Sequence, residues 1–462
     1  MKTFSLFLGA ALFCGSVQAQ QALTPEVLKE LSGSFEHNTV NKALKNAVSG
    51  NSIKQLVINQ ENSVTPDTHF SVSVNSKGIT DQQKSGRCWM FTGLNVLRSK
   101  MIAKFQSDEI QFSHVYLFFY DQLEKSNLFL QGVIDTREKP LDDKMVEWLF
   151  RNPLSDGGQF TGVSDLIGKY GVVPKEVMAE TFHSNNTTEI AYVMKRKLRE
   201  FGLQLRDLAA KGNSVAALEA EKVQMMKTIY RMLVLAYGEP VQSFSWAPKK
   251  DGKYIGTPKT YTPQSFYKEM CGGEDLNANY VMLMNDPSRP FNKVYEIEYD
   301  RHTYDGHNWL YLNLPIEDIK EMAIASLKDS TMLYFSCDVG KYLDSRGLLD
   351  LNNYDYGSLF NTTFGMNKKQ RVQSFDSGSS HAMTLMAVDL DADGKSTKWK
   401  VENSWGAAHG FAGHLIMTDA WFNEYMFRVV VNKKYCPKRI LKLLDEKPTR
   451  LPAWDPMFQN EQ

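Results

Sequence analysis

Three shortages narrow the field before any motif is read. Charge of either sign is not in excess: 53 basic side chains balance 53 acidic ones over 462 residues, so nothing electrostatic calls for nucleic acid or an acidic membrane surface as partner. After the first twenty positions there is no run of about eighteen uninterrupted apolar residues, so no transmembrane span is expected. Cysteine is scarce, 5 in all. Cys88, Cys271, Cys337 and Cys436 lie beyond the first twenty residues, too dispersed for a disulfide framework and without the CxxC spacing of a zinc site. HExxH, GxSxG and GxGxxG are all missing. The stretch from Gly162 to Lys169 departs from a P-loop by one extra residue before the second glycine and by Tyr170 where Ser or Thr is needed. No metal and no external cofactor is expected.

What is present begins with a leader-like segment. Met1-Lys2 carries one positive charge, Phe4 to Val17 is mostly apolar or small, and Val17-Gln18-Ala19 fits a small-x-small cleavage pattern before Gln20. Residues 1–19 are therefore expected to be a signal peptide, with the mature protein secreted or periplasmic. Phe13, bulky before Cys14, argues against a lipoprotein site. The length exceeds one minimal domain, and the aromatic content can fill a large core.

The chemistry centres on Asp81-Gln82-Gln83-Lys84-Ser85-Gly86-Arg87-Cys88-Trp89-Met90-Phe91, a polar loop that runs into a helix, because Trp89, Phe91, Leu94, Leu97, Met101, Ile102 and Phe105 recur at helical spacing. Cys88 then sits in a first helical turn, where unpaired N–H groups and the macrodipole favour thiolate. Taken alone, it is as readily a small buried apolar residue. Far downstream, Met383 to Val388 and Lys398 to Val401 read as strands joined by the Asp391-Ala392-Asp393-Gly394 turn. His381 enters the first and Asn403 leaves the second, so antiparallel pairing brings them together. Between the two ends, two apolar stripes broken at Gly212-Asn213 predict a helical hairpin over residues 187–237. Residues 68–74 alternate as a short strand. Asp156-Gly157-Gly158-Gln159 reads as a loop whose glycines allow close backbone approach. His302 and His307 lie near Asp300 and Asp305 in sequence, without a metal-binding spacing.

The blocks from Gln82 to Phe91, Cys337-Asp338-Val339-Gly340-Lys341, His381-Ala382-Met383, Glu402-Asn403-Ser404-Trp405-Gly406 and Leu451-Pro452-Ala453-Trp454-Asp455-Pro456-Met457, in that order, resemble the papain-like cysteine peptidases of the bleomycin hydrolase and aminopeptidase C branch. The resemblance implies an α+β, two-lobed papain-like fold, with a helical lobe, a β-barrel-like lobe and a large, mostly helical insertion. It implies residues 20–62 as an N-terminal arm, 63–186 as the helical lobe, 187–290 as an inserted oligomerisation region, 291–445 as the β lobe and 446–462 as a tail near the active site. Cys88, His381, Asn403 and Gln82 are the catalytic candidates, with Trp405 shielding the ring. Asp156, Gly157 and Gly158 line the cleft, and the carboxylate of Gln462 clamps a substrate ammonium. The tail here, Phe458-Gln459-Asn460-Glu461-Gln462, is larger and more polar than the family's usual ending. Ser85 stands where many secreted papain-like enzymes carry a disulfide cysteine.

The implied activity is cysteine aminopeptidase action on peptide substrates by a homo-oligomer, a hexamer in the resembled family. An endopeptidase or dipeptidyl peptidase, and a non-catalytic oligomeric binding protein, remain open alternatives. Relatives of this kind are usually cytosolic, against which the leader stands out.

Overall fold

The structure, a computed structural model, describes residues 22–457; the leader and Gln462 lie outside them. The described chain divides into two units, residues 22–58 with 355–363, and residues 59–354 with 364–457. In the first, Thr24 and Asn38 cap the helices Pro25–Ser34 and Thr39–Gly50 by accepting from Val27 N–H and Asn41 N–H. These helices bury none of their own residues, and Leu28, Leu31, Phe35 and Val40 are exposed.

The second unit has a helical part and a sheet part. The helix Cys88–Phe105 is apolar on nearly every side and buried on nearly every side, as such a helix must be. Around it stand His114–Asp135 and Phe160–Tyr170, the latter ended by Gly171 at φ 70°. The expected hairpin is present as Thr188–Ala210 and Val215–Tyr237, with Gly212 at φ 84° in the turn. Its stripe (Met194, Leu198, Phe201, Leu218, Ile229, Leu233) joins one core with Leu94, Phe118 and Leu130. The hairpin thus completes the helical layer instead of folding apart from it.

Among the described residues the sheet has eleven strands: β1 (Val72–Ser73), β2 (Tyr280–Met284), β3 (Lys293–Ile297), β4 (Leu310–Asn313), β5 (Leu333–Cys337), β6 (Leu348–Leu349), β7 (His381–Leu390), β8 (Ser396–Glu402), β9 (His414–Thr418), β10 (Met426–Asn432) and β11 (Thr449–Leu451). Their order is β6-β9-β8-β7-β5-β10-β2-β4-β3-β11, with β1 beside β7. The stretch expected to alternate over 68–74 forms a ladder at Val72 and Ser73 alone, opposite Val388 and Ala387. β7 lies between β5 (His381 opposite Cys337) and β8 (Thr384 opposite Glu402), both antiparallel. A second core of Leu333, Phe335, Leu385, Trp399, Val401 and Val429 fills the sheet. The polar ends of β7 and β8 meet the first turn of the Cys88–Phe105 helix, and that junction is the site.

Candidate active site

Cys88 opens its helix after Arg87, with no side chain capping the terminus. First-turn N–H groups are therefore left for other acceptors. The peptide N–H of Ala382 lies 3.4 Å from Cys88 Sγ, a contact across 294 positions of chain. The sulfur therefore lies beside the first residues of β7, where His381 is buried.

His381 Nε2 is 2.8 Å from Asn403 Oδ1. Ser404 N–H is also 2.8 Å from that atom. A peptide N–H only donates, so the atom facing both groups is the amide oxygen, and Nε2 must carry a hydrogen. In the neutral ring this leaves Nδ1 as the basic nitrogen. Trp405 lies against the imidazole with ring centroids 4.9 Å apart, shielding the bond from water. Asn403 leaves β8 with its N–H held by Gly413 O at 3.0 Å. The antiparallel adjacency expected from the strand pattern is present.

Gln82 is buried beside them. Its N–H donates to Ser404 O at 2.8 Å, its Oε1 accepts from Ser404 Oγ at 2.7 Å, and its Nε2 donates to Ser85 O at 2.6 Å. An amide nitrogen carries two hydrogens, so one remains for an oxyanion. Ser85 donates to Gln82 O at 2.6 Å and accepts from Arg87 Nε at 2.9 Å. Arg87 is fully buried and pairs with Glu180 at 2.8 Å.

The Asp156-Gly157-Gly158 loop abuts this assembly in a way the sequence did not reveal. One carboxylate oxygen of Asp156 accepts from Gly86 N–H at 2.8 Å and from the Thr187 hydroxyl, and its carbonyl accepts from Trp89 Nε1 at 2.9 Å. The Asp156 side chain is thus committed to the protein. At Gly158 an added Cβ would lie 2.3 Å from His302 Cε1. His302 and His307 pair with Asp121 and Asp165, remote in sequence. Among the described residues no cluster of three His, Cys, Asp or Glu side chains is arranged to hold a metal ion.

With thiol, imidazole, amide and donors in one cleft, comparison with known proteins decides the assignment. The family model described as Peptidase C1-like family matches residues 22–458. The chain belongs to that family. It is a cysteine peptidase with the papain-like α+β fold. Aminopeptidase C of Lactobacillus delbrueckii subsp. lactis is 38% identical over 438 residues, 94% of this chain and 97% of that protein. Bleomycin hydrolase of Homo sapiens is 40% identical over 396 residues, 84% and 87% of the two chains. Among solved structures, pepw from Lactobacillus rhamnosis HN001 has a TM-score of 0.90 at 37% identity, covering 95% of this peptidase and 99% of that chain.

Two parts of the site escaped sequence reading. The Ala382 donor is main chain and leaves no side-chain signal. Ser404 carries three of the contacts that set the Gln82 and Asn403 amides. It lies inside the quoted Glu402 to Gly406 block, and its place beside Asn403 was the available clue.

Proposed function

We propose that the peptidase removes residues from the amino ends of peptides by a thiol mechanism. Cys88 Sγ attacks the scissile carbonyl, forming the S–C bond, while Gln82 Nε2 and the Cys88 N–H receive the oxyanion. The tetrahedral centre collapses with cleavage of the C–N bond, and the His381 imidazolium hands its proton to the departing amine. Water, deprotonated by His381, then hydrolyses the thioester and frees the acid. Asn403 orients the ring without drawing off its proton as a carboxylate would. The observation that carries this reading is the 2.8 Å bond from His381 Nε2 to Asn403 Oδ1, beside a sulfur that accepts from Ala382 N–H.

Action at the amino end is favoured over internal cleavage by relatives named aminopeptidase C. The placement of residues 453–457 supports it too. Ala453, Trp454 and Asp455 line a cavity of about 600 Å³ together with Ser379 and Ser380, just before His381. Met457 O accepts from buried Arg428 at 2.8 Å, and Arg289 pairs with Asp455. The test is hydrolysis of an aminoacyl amide with its amine free or acetylated. Loss on acetylation, and loss in Cys88→Ala with the fold kept, supports the reading. Equal rates on blocked peptides would convert it to an endopeptidase, and no turnover of any amide under reducing conditions would leave a non-catalytic assembly.

Two finer readings accompany it. The exposed Leu28, Leu31, Phe35 and Val40 of the first unit suit burial against further copies, and the chain assembles as a homo-oligomer, a hexamer by family resemblance. Light scattering that returns a monomer mass refutes this. Residues 1–19 direct export, so intact-mass spectrometry should find the mature protein beginning at Gln20; a chain still carrying residues 1–19 refutes it.

A further inference from the structure

Behind the nucleophile helix lies a buried ionic cluster for which the mechanism has no use. Lys125 Nζ donates to Asp121 Oδ2 at 2.9 Å, to Ser155 O at 3.0 Å and to Gly157 O at 2.7 Å. An ammonium has three hydrogens, and all three are spent. The other Asp121 oxygen is 2.5 Å from His302 Nδ1, and Gln122 Nε2 adds bonds to Ser155 O and Asp121 Oδ2, both at 2.9 Å. His302 packs edge-on against Trp89, the residue after Cys88, with centroids 4.6 Å apart, and Lys125 lies 5.3 Å from the same indole. Lys125, His302 and Ser155 also line the 600 Å³ cavity beside Ser379 and Ser380. Burial pushes Asp121 up, but Lys125 and His302 outweigh it and hold the carboxyl below its usual value.

We propose that Lys125, with Asp121 and His302 behind it, is a positioning residue that braces the Ser155–Gly158 main chain against the nucleophile helix, and so sets how tightly peptide substrates bind and not how reactive the thiol is. An ion pair serving stability alone needs no loop carbonyls. Here two of the three ammonium bonds end on the carbonyls of Ser155 and Gly157, and Ser155 lines the cavity that reaches Ser379 and Ser380, just before His381. Hydrogen bonds between that loop and an extended peptide are directional, so a loop released from Lys125 binds substrate poorly. Iodoacetamide needs no backbone contact and does not sense the loop. The proposal rests on the peptidase reading above, and its test separates the two.

In the full-length protein, Lys125→Met is compared with wild type by hydrogen exchange of the peptide spanning 153–160, by iodoacetamide alkylation of Cys88, and by steady-state kinetics on an unblocked peptide amide. The expected result is faster exchange in that peptide and a KM raised by about tenfold, the value of one well-placed hydrogen bond. Both kcat and the alkylation rate should stay within about twofold, the signature of lost uniform binding. Asp121→Asn, which keeps the side-chain volume, should give a smaller shift of the same kind and serves if Lys125→Met does not fold. Unchanged exchange overturns the brace. Faster exchange with unchanged KM, or KM and alkylation failing together, overturns its assignment to substrate binding. If wild type turns over no amide, the peptidase reading fails, and exchange alone still decides whether the brace exists.

Discussion

Arg98 and Glu402 offer a quantitative test of how the two halves of the site are held together. Arg98 lies ten residues after Cys88 in the same helix, and Glu402 directly precedes Asn403. Their side chains are 1% and 0% exposed. Arg98 Nη2 bonds to Glu402 Oε1 and lies 3.2 Å from Ser76 Oγ, which donates to Glu402 Oε2 at 2.9 Å. Burial raises Glu402 above its ordinary 4.5, and Arg98 opposes the rise. Arg98→Met strands a carboxylate in the interior, which typically costs about 3–5 kcal/mol. The electrostatic share has a ceiling, because the folded variant can protonate Glu402. From 4.5, that takes about 3.4 kcal/mol at pH 7 and about 1.4 kcal/mol at pH 5.5. A raised folded-state value means that the folded variant binds the proton more tightly than the unfolded chain, so its deficit shrinks as pH falls toward 4.5. Urea unfolding at pH 7 and 5.5 measures both numbers. The double variant R98M/E402L, with no charge left to strand, should recover most of the pH 7 loss. A single-variant loss below about 1 kcal/mol at pH 7, or one that does not change with pH, would refute the reasoning.

Further outcomes follow from the same geometry. Gln82→Ala should lower kcat by about 10²–10³ with a smaller change in KM, the usual effect of losing one oxyanion donor, as read by steady-state hydrolysis of an aminoacyl amide. Gly158→Ala drives a methyl to 2.3 Å from His302 Cε1 and should cost about 1–3 kcal/mol in thermal unfolding. Gly168→Ala, in the Phe160–Tyr170 helix with nothing within 4 Å, should instead stabilise by about 0.4–1 kcal/mol. Lys368 is held by Asn285 Oδ1 at 2.7 Å and by main-chain oxygens, and burial lowers it from 10.5 to about 7. The unfolded chain then binds more protons between pH 7 and 10.5, so stability gains up to about 1.4 kcal/mol per pH unit there. Urea unfolding at pH 7, 8 and 9 should find that Lys368→Met lacks this slope; parallel pH curves would contradict it.

The sulfur, the imidazole and the amide were legible because each sits where a local pattern changes. A polar loop gives way to a helical stripe at Cys88, and two strands joined by the Asp391 to Gly394 turn bring His381 to Asn403. The helical hairpin was legible from the spacing of Met194, Leu198 and Phe201 on one arm and Met225, Ile229 and Leu233 on the other. Pairings between distant charged residues were not legible. Arg98 and Glu402 are 304 positions apart, and a lone Arg on an apolar helix gives no hint of its partner. His302 reads as a neighbour of Asp300, yet it pairs with Asp121 across 181 positions. The Asp156 loop was legible as a turn from its two glycines, but the commitment of its carboxylate to Gly86 N–H depends on the nucleophile loop's path, which no periodicity encodes.

One donor to the Cys88 sulfur belongs to the polypeptide itself, the amide of Ala382. Almost any codon at that position would supply the same group, so alanine scanning passes over it in silence. Chemical synthesis reaches further: replacing that one amide with an ester deletes a single hydrogen and keeps the Ala382 side chain. The share of thiol activation owed to the backbone can therefore be weighed apart from everything that genetics can vary.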